Sequence, residues 1–574
     1  MKASNLRTCS VVSIITSTFA LTVVSQALAT DCHTPQPIGD GTHVGAFTPQ
    51  AVQRSGVPRE TWFEYTPSSA GELVVDSIGS DSAVWVEIWD GCPEGDGAEL
   101  NRSFDGVQIT PSVRAVIDPN RTYNIRVREM DPRGGSFMLT VGIQEFDLRQ
   151  PPGADVVYSD ITSTLRFGPV NGIHAYALSS NTCNVGTQNL LWTNNGTPGL
   201  AMNAYRLHNG RLVQIGMGWV KHACCAGAGS GCGMTCNGAG GSVLGAGCLD
   251  VYSASWNSSQ ARLGARSGIN AFTGQFSPLN GTSGDAIFKR LQVAQADMSS
   301  VTYPGALYFV EGVYVGSDDA TAKNGLNNAS YRRVLVDASY NMTTTGTVNS
   351  RAPAIVAWRL NGGGAGILDP NVTDGLIDLP NEGRFHTAVK VTNLGGGMWR
   401  YDYAIYNLNS DISGGALRIP IPSNAVVANA GFNAPRYHSG EPYSNSPWTI
   451  TVSQNEVVFA SPETFAQNPN TNALRWGTMY NFWFDSNKPP TAGVATLGLF
   501  KPFTQPDVPF SATIPTNPAI AADFNADGCV DNADLGILLN GWNCSGGCMG
   551  DADGDGSTNE TDLGLLLQAW NTGC

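Results

Sequence analysis

A mainly β chain, built of β-sandwich modules and closed by one small α-helical module, is the fold class this sequence predicts. Three observations carry that expectation. Short runs of alternating apolar and polar residues recur between Gly, Pro, Asp and Asn clusters. Helical periodicity is confined to the last fifty-odd residues. The 574 residues hold 67 Gly and only 14% charged residues, enough chain for several hydrophobic cores.

Taken in order, Lys2 and Arg7 precede an apolar stretch at 10–24, and Ala27-Leu28-Ala29 supplies a small-x-small cleavage site. Residues 1–29 are therefore expected to be a secretory signal peptide with Thr30 as the first mature residue. Asp31 before Cys32 does not fit a lipobox, and no later segment is apolar for long enough to span a bilayer. The mature chain is expected to lack a transmembrane segment and to be secreted, extracellular or at the cell surface.

Residues 72–76, 83–89, 113–116, 123–128 and 137–141 alternate as strands of a first module at 30–146. Their order, with 62–67 before them, resembles the pre-peptidase C-terminal (PPC-like) domains of secreted bacterial proteins, which implies an accessory β-sandwich. Trp85 and Trp89 fall on one strand face, where core packing or sugar stacking would use them. A linker at 147–153, containing Pro151-Pro152-Gly153, leads to a large β-rich module at 154–503. Strands are expected at 385–391, 398–406, 448–452 and 479–484, with Trp399, Tyr401, Tyr403 and Ile405 on one face. The earlier part, around 214–222 and the glycine-rich loop behind it, resembles an uncharacterised segment of bacterial secreted proteins. Five prolines between 502 and 518 predict an extended spacer at 504–518.

The last module, 519–574, contains one unit twice. Asp523-Phe-Asn525-Ala-Asp527-Gly528-Cys529-Val-Asp531-Asn-Ala-Asp534 is matched by Asp551-Ala-Asp553-Gly-Asp555-Gly556-Ser557-Thr-Asn559-Glu-Thr-Asp562. A twelve-residue loop binds Ca²⁺ through oxygens at positions 1, 3, 5, 7, 9 and 12, with Gly at position 6 for the sharp turn. The ligands expected for two Ca²⁺ ions are thus Asp523, Asn525, Asp527, the Cys529 carbonyl, Asp531 and Asp534, then Asp551, Asp553, Asp555, the Ser557 carbonyl, Asn559 and Asp562. Each loop runs into a helix with an apolar stripe, Leu535, Leu538, Leu539, Trp542 and Leu563, Leu566, Leu567, Trp570. Asn517-Pro518 and the 544–550 segment leave no room for a helix before either loop, unlike an ordinary EF-hand.

This doubled loop-then-helix layout resembles the type I dockerin family of bacterial extracellular proteins. The resemblance implies attachment to a cohesin-like receptor. Loop positions 10 and 11, where the family often carries Ser-Thr, are Asn532-Ala533 and Glu560-Thr561 here, so the receptor stays open between a cohesin and another cell-surface component.

Twelve cysteines remain after Cys9 in the signal: Cys32 and Cys92 in the first module, Cys183, Cys224, Cys225, Cys232, Cys236 and Cys248 in the second, and Cys529, Cys544, Cys548 and Cys574 in the tail. Even numbers per module predict disulfides within modules and an oxidising compartment. Only Cys32–Cys92 is forced; a metal site beside His222 is the alternative for 224–248. The net charge of −15 becomes −17 without Lys2 and Arg7, and 519–574 holds nine carboxylates and no Lys or Arg. That distribution excludes a basic nucleic-acid footprint.

No Gly-x-Ser-x-Gly, His-Glu-x-x-His or phosphate-loop pattern occurs. Glu311, Asp318-Asp319, Asp337 and Glu382 are candidate carboxylates. Glu311, in an apolar strand, reads either as an acid of raised pKa or as a residue facing solvent. His174, His208, His222, His386 and His438 are scattered. Two functions follow: a secreted multimodular calcium-binding protein tethered by its tail, with binding or structural modules upstream, or an extracellular polysaccharide-degrading enzyme acting on glycosyl bonds from 154–503. The second rests on the company dockerins keep.

Overall fold

The computed structural model describes residues 22–23, 32–39, 41–47, 60–67, 71–76, 84–92, 98–104, 112–117, 121–129, 135–145, 152–517, 522–525, 529–544 and 549–572. It is mainly β, and divides into two compact units, 1–50 with 54–146 and 51–53 with 147–574. Of the expected signal peptide only Thr22–Val23 is described, as a short strand beside Gly41–Phe47; the rest lies outside the described residues.

The first unit has two five-stranded sheets. One orders Thr22–Val23, Gly41–Phe47, Gly135–Glu145, Gly71–Asp76 and Ser112–Ile117; the other orders Gln36–Pro37, Glu60–Tyr65, Tyr123–Glu129, Val84–Asp90 and Ala98–Phe104. Strand alternation sends Leu73, Val75, Leu139 and Val141 from one, and Phe63, Val86, Ile88, Ile125 and Val127 from the other, into a shared core. On the opposite face of the second sheet, Arg126 lies over the Trp62 ring at 4.9 Å and pairs with Glu60 and Glu87. Trp89 belongs to this face and not to the core: its Nε1 donates to Glu87 (3.0 Å) and its ring is tilted against Trp62. The Trp85 side chain lies outside the described residues. Cys32–Cys92 is disulfide-bonded, as the sequence requires.

In the second unit four sheets are stacked. A four-stranded sheet (Val156–Asp160, Ser180–Asn184, Cys248–Tyr252, Gly229–Ser230) packs on one face of a ten-stranded sheet spanning Thr164–Val170 to Met342–Asn349. Val156 and Tyr158 meet Tyr176, Leu200, Met202, Val310 and Tyr314 there. The other face of the large sheet, with Ala201, Tyr205, Phe309, Val313 and Tyr331, packs on Ala388, Ala404, Tyr406 and Met479 of a five-stranded sheet. That third sheet orders Val372–Leu379, Gly383–Gly395, Met398–Asn407, Thr478–Ser486 and Val427–Asn433. Its far face presents Tyr401, Tyr403 and Ile405, with Trp399 at the margin, to a second five-stranded sheet. The expected common face of these four residues is therefore present.

The expected spacer at 504–518 is different. Asp507–Pro515 is the edge strand of the last sheet, paired with Pro490–Leu499, and Phe510, Ala512 and Ile514 are buried in its core. Proline cannot donate to a ladder, but an edge strand leaves half its N–H groups without that duty, so Pro509 and Pro515 fit there.

Candidate metal centre

The geometry of the tail begins with its helix caps. Asp531 and Asn559, at loop position 9, are extended N-caps whose side-chain oxygens accept Ala533 and Thr561 N–H at 2.7 Å. Three residues on, Asp534 and Asp562 close capping boxes by accepting from the backbone N–H of Asp531 (3.0 Å) and Asn559 (2.8 Å). The second oxygen of each reaches the start of its loop. Asp534 accepts Phe524 and Asn525 N–H at 2.7 and 3.2 Å, and Asp562 accepts Ala552 and Asp553 N–H at 2.7 and 3.1 Å. Both carboxylates are fully buried. One residue per repeat thus clamps loop entry to helix entry.

In the second loop Asp551 accepts from Asp555 and Gly556 N–H, and Gly556 has φ +88°, the left-handed conformation its place in the turn demands. Single oxygens of Asp551, Asp553 and Asp562 all lie within 4.8 Å of one another, the one such His/Cys/Asp/Glu group among the described residues. Ligands on opposite sides of a calcium ion sit about 5 Å apart, at twice a bond length of 2.3–2.6 Å, so these three carboxylates are close enough together to share a metal ion. Burial, and then the charges of Asp562 and Asp553, push the Asp551 carboxyl up against two backbone N–H groups that lower it. A cation would relieve that repulsion. Asp555 turns to Ser557 N–H instead (2.8 Å). Asp527 and Gly528 of the first loop lie outside the described residues.

The two helices, Asn532–Asn540 and Glu560–Gln568, pack together around Ala522, Val530, Leu538 and Leu566. Backbone pairs repeat the symmetry crosswise: Val530 pairs with Asn571 and Thr572, and Thr558 with Asn543 and Cys544. The expected stripes are only partly used. Leu538 and Leu566 are fully buried and Leu535, Leu563 and Trp570 partly so, whereas Leu539, Leu567 and Trp542 are 55, 57 and 37% exposed. A nine-residue helix with one helical neighbour offers a single narrow contact line, and the i+4 leucines fall off it.

Upstream, the scattered candidates are engaged in separate structural bonds. Glu311 faces neither solvent nor a cleft. It lies between the ten-stranded sheet and its five-stranded neighbour, fully buried, accepting from Asn203 (2.7 Å), Tyr205 (2.8 Å), Tyr406 (3.1 Å) and the Ala354 N–H (2.6 Å). Burial pushes its pKa up while those four donors oppose the rise. Arg266, also buried, bonds Asn203 at 2.7 Å and extends the network to the Gly477 carbonyl. Asp337 closes a turn on Ser339 and Asn341, and Glu382 accepts from Ser410 and Ile412. Asp318 accepts the Leu191 N–H (2.6 Å). Asp319 is buried beside Asp155; burial and then the charge of Asp155 push it up to about 8.

The five histidines do not converge. His174 stacks on Tyr340, whereas His208, His222 and His386 meet Tyr303, Phe276 and Tyr406 edge-on, and His438 donates to the Met217 carbonyl. The six central cysteines pair as Cys183–Cys232, Cys224–Cys225 and Cys236–Cys248, so none is left for a metal site beside His222. Cys529 and Cys544 are disulfide-bonded as well.

Sequence reasoning missed a groove of about 650 Å³ lined by Arg206, Arg211, Arg436, Asp297, His438 and Trp483. Arg206 pairs with Asp297, and Arg211 covers the Trp483 ring at 4.0 Å. Its residues come from distant segments with no local motif, so no sequence signal announces it. No protein-family model matches the chain, and no curated protein matches it either.

Proposed function

We propose that this chain is an exported, multimodular calcium-binding protein, held at a surface or in an extracellular assembly by its C-terminal repeat. The observation that carries the reading is the convergence of Asp551, Asp553 and Asp562 in a loop whose capping and clamping bonds recur, residue for residue, in the first repeat. Asp523, Asn525, Asp527, Asp531, Asp534 and the Cys529 carbonyl would hold one ion. Asp551, Asp553, Asp555, Asn559, Asp562 and the Ser557 carbonyl would hold the other. Calcium supplies the positive charge that lets each acidic loop close, coupling metal binding to folding. The disulfides agree with an oxidising extracellular setting, and no helix among the described residues is long and apolar enough to cross a membrane.

The upstream sheets serve as binding or structural modules, with the arginine-lined groove as the candidate contact for a polysaccharide. A glycosidase needs two carboxylates facing across the scissile bond. The groove lining holds Asp297 alone, and that residue is paired with Arg206. Binding is therefore preferred over hydrolysis as the reading of this face. The test is retention of the full-length protein on cell walls or insoluble glycans in millimolar Ca²⁺ and in EDTA, with a reducing-end assay on the same samples. Retention that EDTA abolishes, without new reducing ends, is expected. Release of reducing sugar would replace this reading with the enzymatic one, and retention unchanged by EDTA would remove calcium from it.

A further inference from the structure

We propose that Asp155, Asp319, Asn327 and Asn328 form a third calcium site, at the beginning of the large module and independent of the tail repeat. Asp155 precedes the first strand of that module, Val156–Asp160, and the other three residues belong to the helix Ser317–Ala322 and the loop after it. Asp155, Asp319 and Asn328 are 1, 1 and 3% exposed. Among the described residues neither carboxylate is ion-paired with a Lys or Arg, although the charge of Arg351 reaches Asp155.

The hydrogen bonds define what this group of side chains lacks. Asp319 accepts the Val156 N–H through Oδ1 (3.0 Å) and the Asn328 amide through Oδ2 (2.8 Å). Both of its oxygens thus accept from protein donors. Asp155 Oδ2 accepts the Asn327 amide (3.1 Å). The orientation of Asn328 is fixed because its amide nitrogen also donates to the Tyr314 carbonyl (3.2 Å). What remains is Asp155 Oδ1, Asn327 Oδ1 and Asn328 Oδ1, three acceptors without a donor, each on a side chain bonded to this carboxylate pair or belonging to it. Buried acceptors without partners are costly. A set made only of oxygens, one on a carboxylate and two on amides, beside a second buried carboxylate, is the chemistry of a hard cation, and calcium takes mixed carboxylate and amide oxygens with water completing its shell. Bound there, the ion would fasten the entry of the module to the 317–328 segment.

The test uses the full-length chain with both tail loops disabled by Asp523→Ala, Asp527→Ala, Asp551→Ala and Asp553→Ala. Equilibrium dialysis against Ca²⁺ is expected to leave one ion per chain. Asp319→Asn should abolish that ion, and Asn327→Ala, at a partly exposed position whose loss the fold tolerates, should weaken its affinity about tenfold or more. Zero ions in the tail-disabled chain would overturn the proposal while leaving the tail sites standing. An ion that persists unchanged in both added variants would overturn it by placing the site elsewhere.

Discussion

Asp534 and Asp562 each hold three backbone N–H groups, one at the helix start and two at the loop start. Removing either carboxyl strands buried donors at about 1–3 kcal/mol apiece before any metal is considered. Asp562→Ala is therefore expected to unfold the tail locally even in EDTA, seen as early loss of amide-exchange protection in 549–572. Glu311 makes the same point inside the large module. Glu311→Ala leaves the Asn203 amide, two tyrosine hydroxyls and the Ala354 N–H without their acceptor. A loss of roughly 3–5 kcal/mol is expected from urea unfolding. Unchanged stability would show that water enters the network. The sequence marked Glu311 as unusual because it interrupts an apolar strand. Nothing local could say that its partners come from residues 203, 205, 354 and 406. His438 gives a pH test. Burial lowers its imidazole from 6.5 to about 4, against the pull of its bond to Met217. The depressed value means the neutral ring stabilises the fold fully above pH 6.5, and that stability is lost as pH falls from 6.5 towards 4. His438→Gln should flatten this part of the stability–pH curve; an unaltered slope would assign the loss to other groups.

At the scale of elements, the tail helices show what periodicity can and cannot read. Position i, i+3, i+4 and i+7 leucines and tryptophans announced two amphipathic helices, and both are present. Which residues of the stripe are buried depends on the crossing of one helix on the other, which periodicity does not contain. Leu538→Ala and Leu566→Ala, both fully buried, are expected to cost about 2–5 kcal/mol of tail stability. Leu539→Ala and Leu567→Ala should change it by less than about 0.5 kcal/mol. Equal costs at all four positions, measured by thermal unfolding, would mean that the exposed leucines are covered. The segment 507–515 shows the opposite error. Its prolines suggested a spacer, but alternation of Phe510, Ala512 and Ile514 carried the stronger signal, and edge pairing tolerates the prolines. Trp89 likewise reads as core by size, yet the pairing of Arg126 with Glu60 and Glu87 holds it on the outer sheet face.

Across the whole molecule, the features readable from the sequence were those written locally: alternating strands, even cysteine numbers and the doubled acidic loops. The mainly β character and the paired cysteines are present as expected. The arginine-lined groove and the Asp155–Asp319 pair were invisible because they assemble from segments more than a hundred residues apart. Cys32–Cys92 spans 60 residues, and Cys32→Ser/Cys92→Ser is expected to lower the stability of the first unit by about 2–5 kcal/mol while leaving calcium binding untouched. The most direct test of the central claim is the calcium stoichiometry of the full-length chain, measured by equilibrium dialysis. Asp551→Ala/Asp553→Ala should remove one ion, Asp523→Ala/Asp527→Ala another, and the combined variant two. An unchanged stoichiometry in all three variants would contradict calcium binding by the tandem loops.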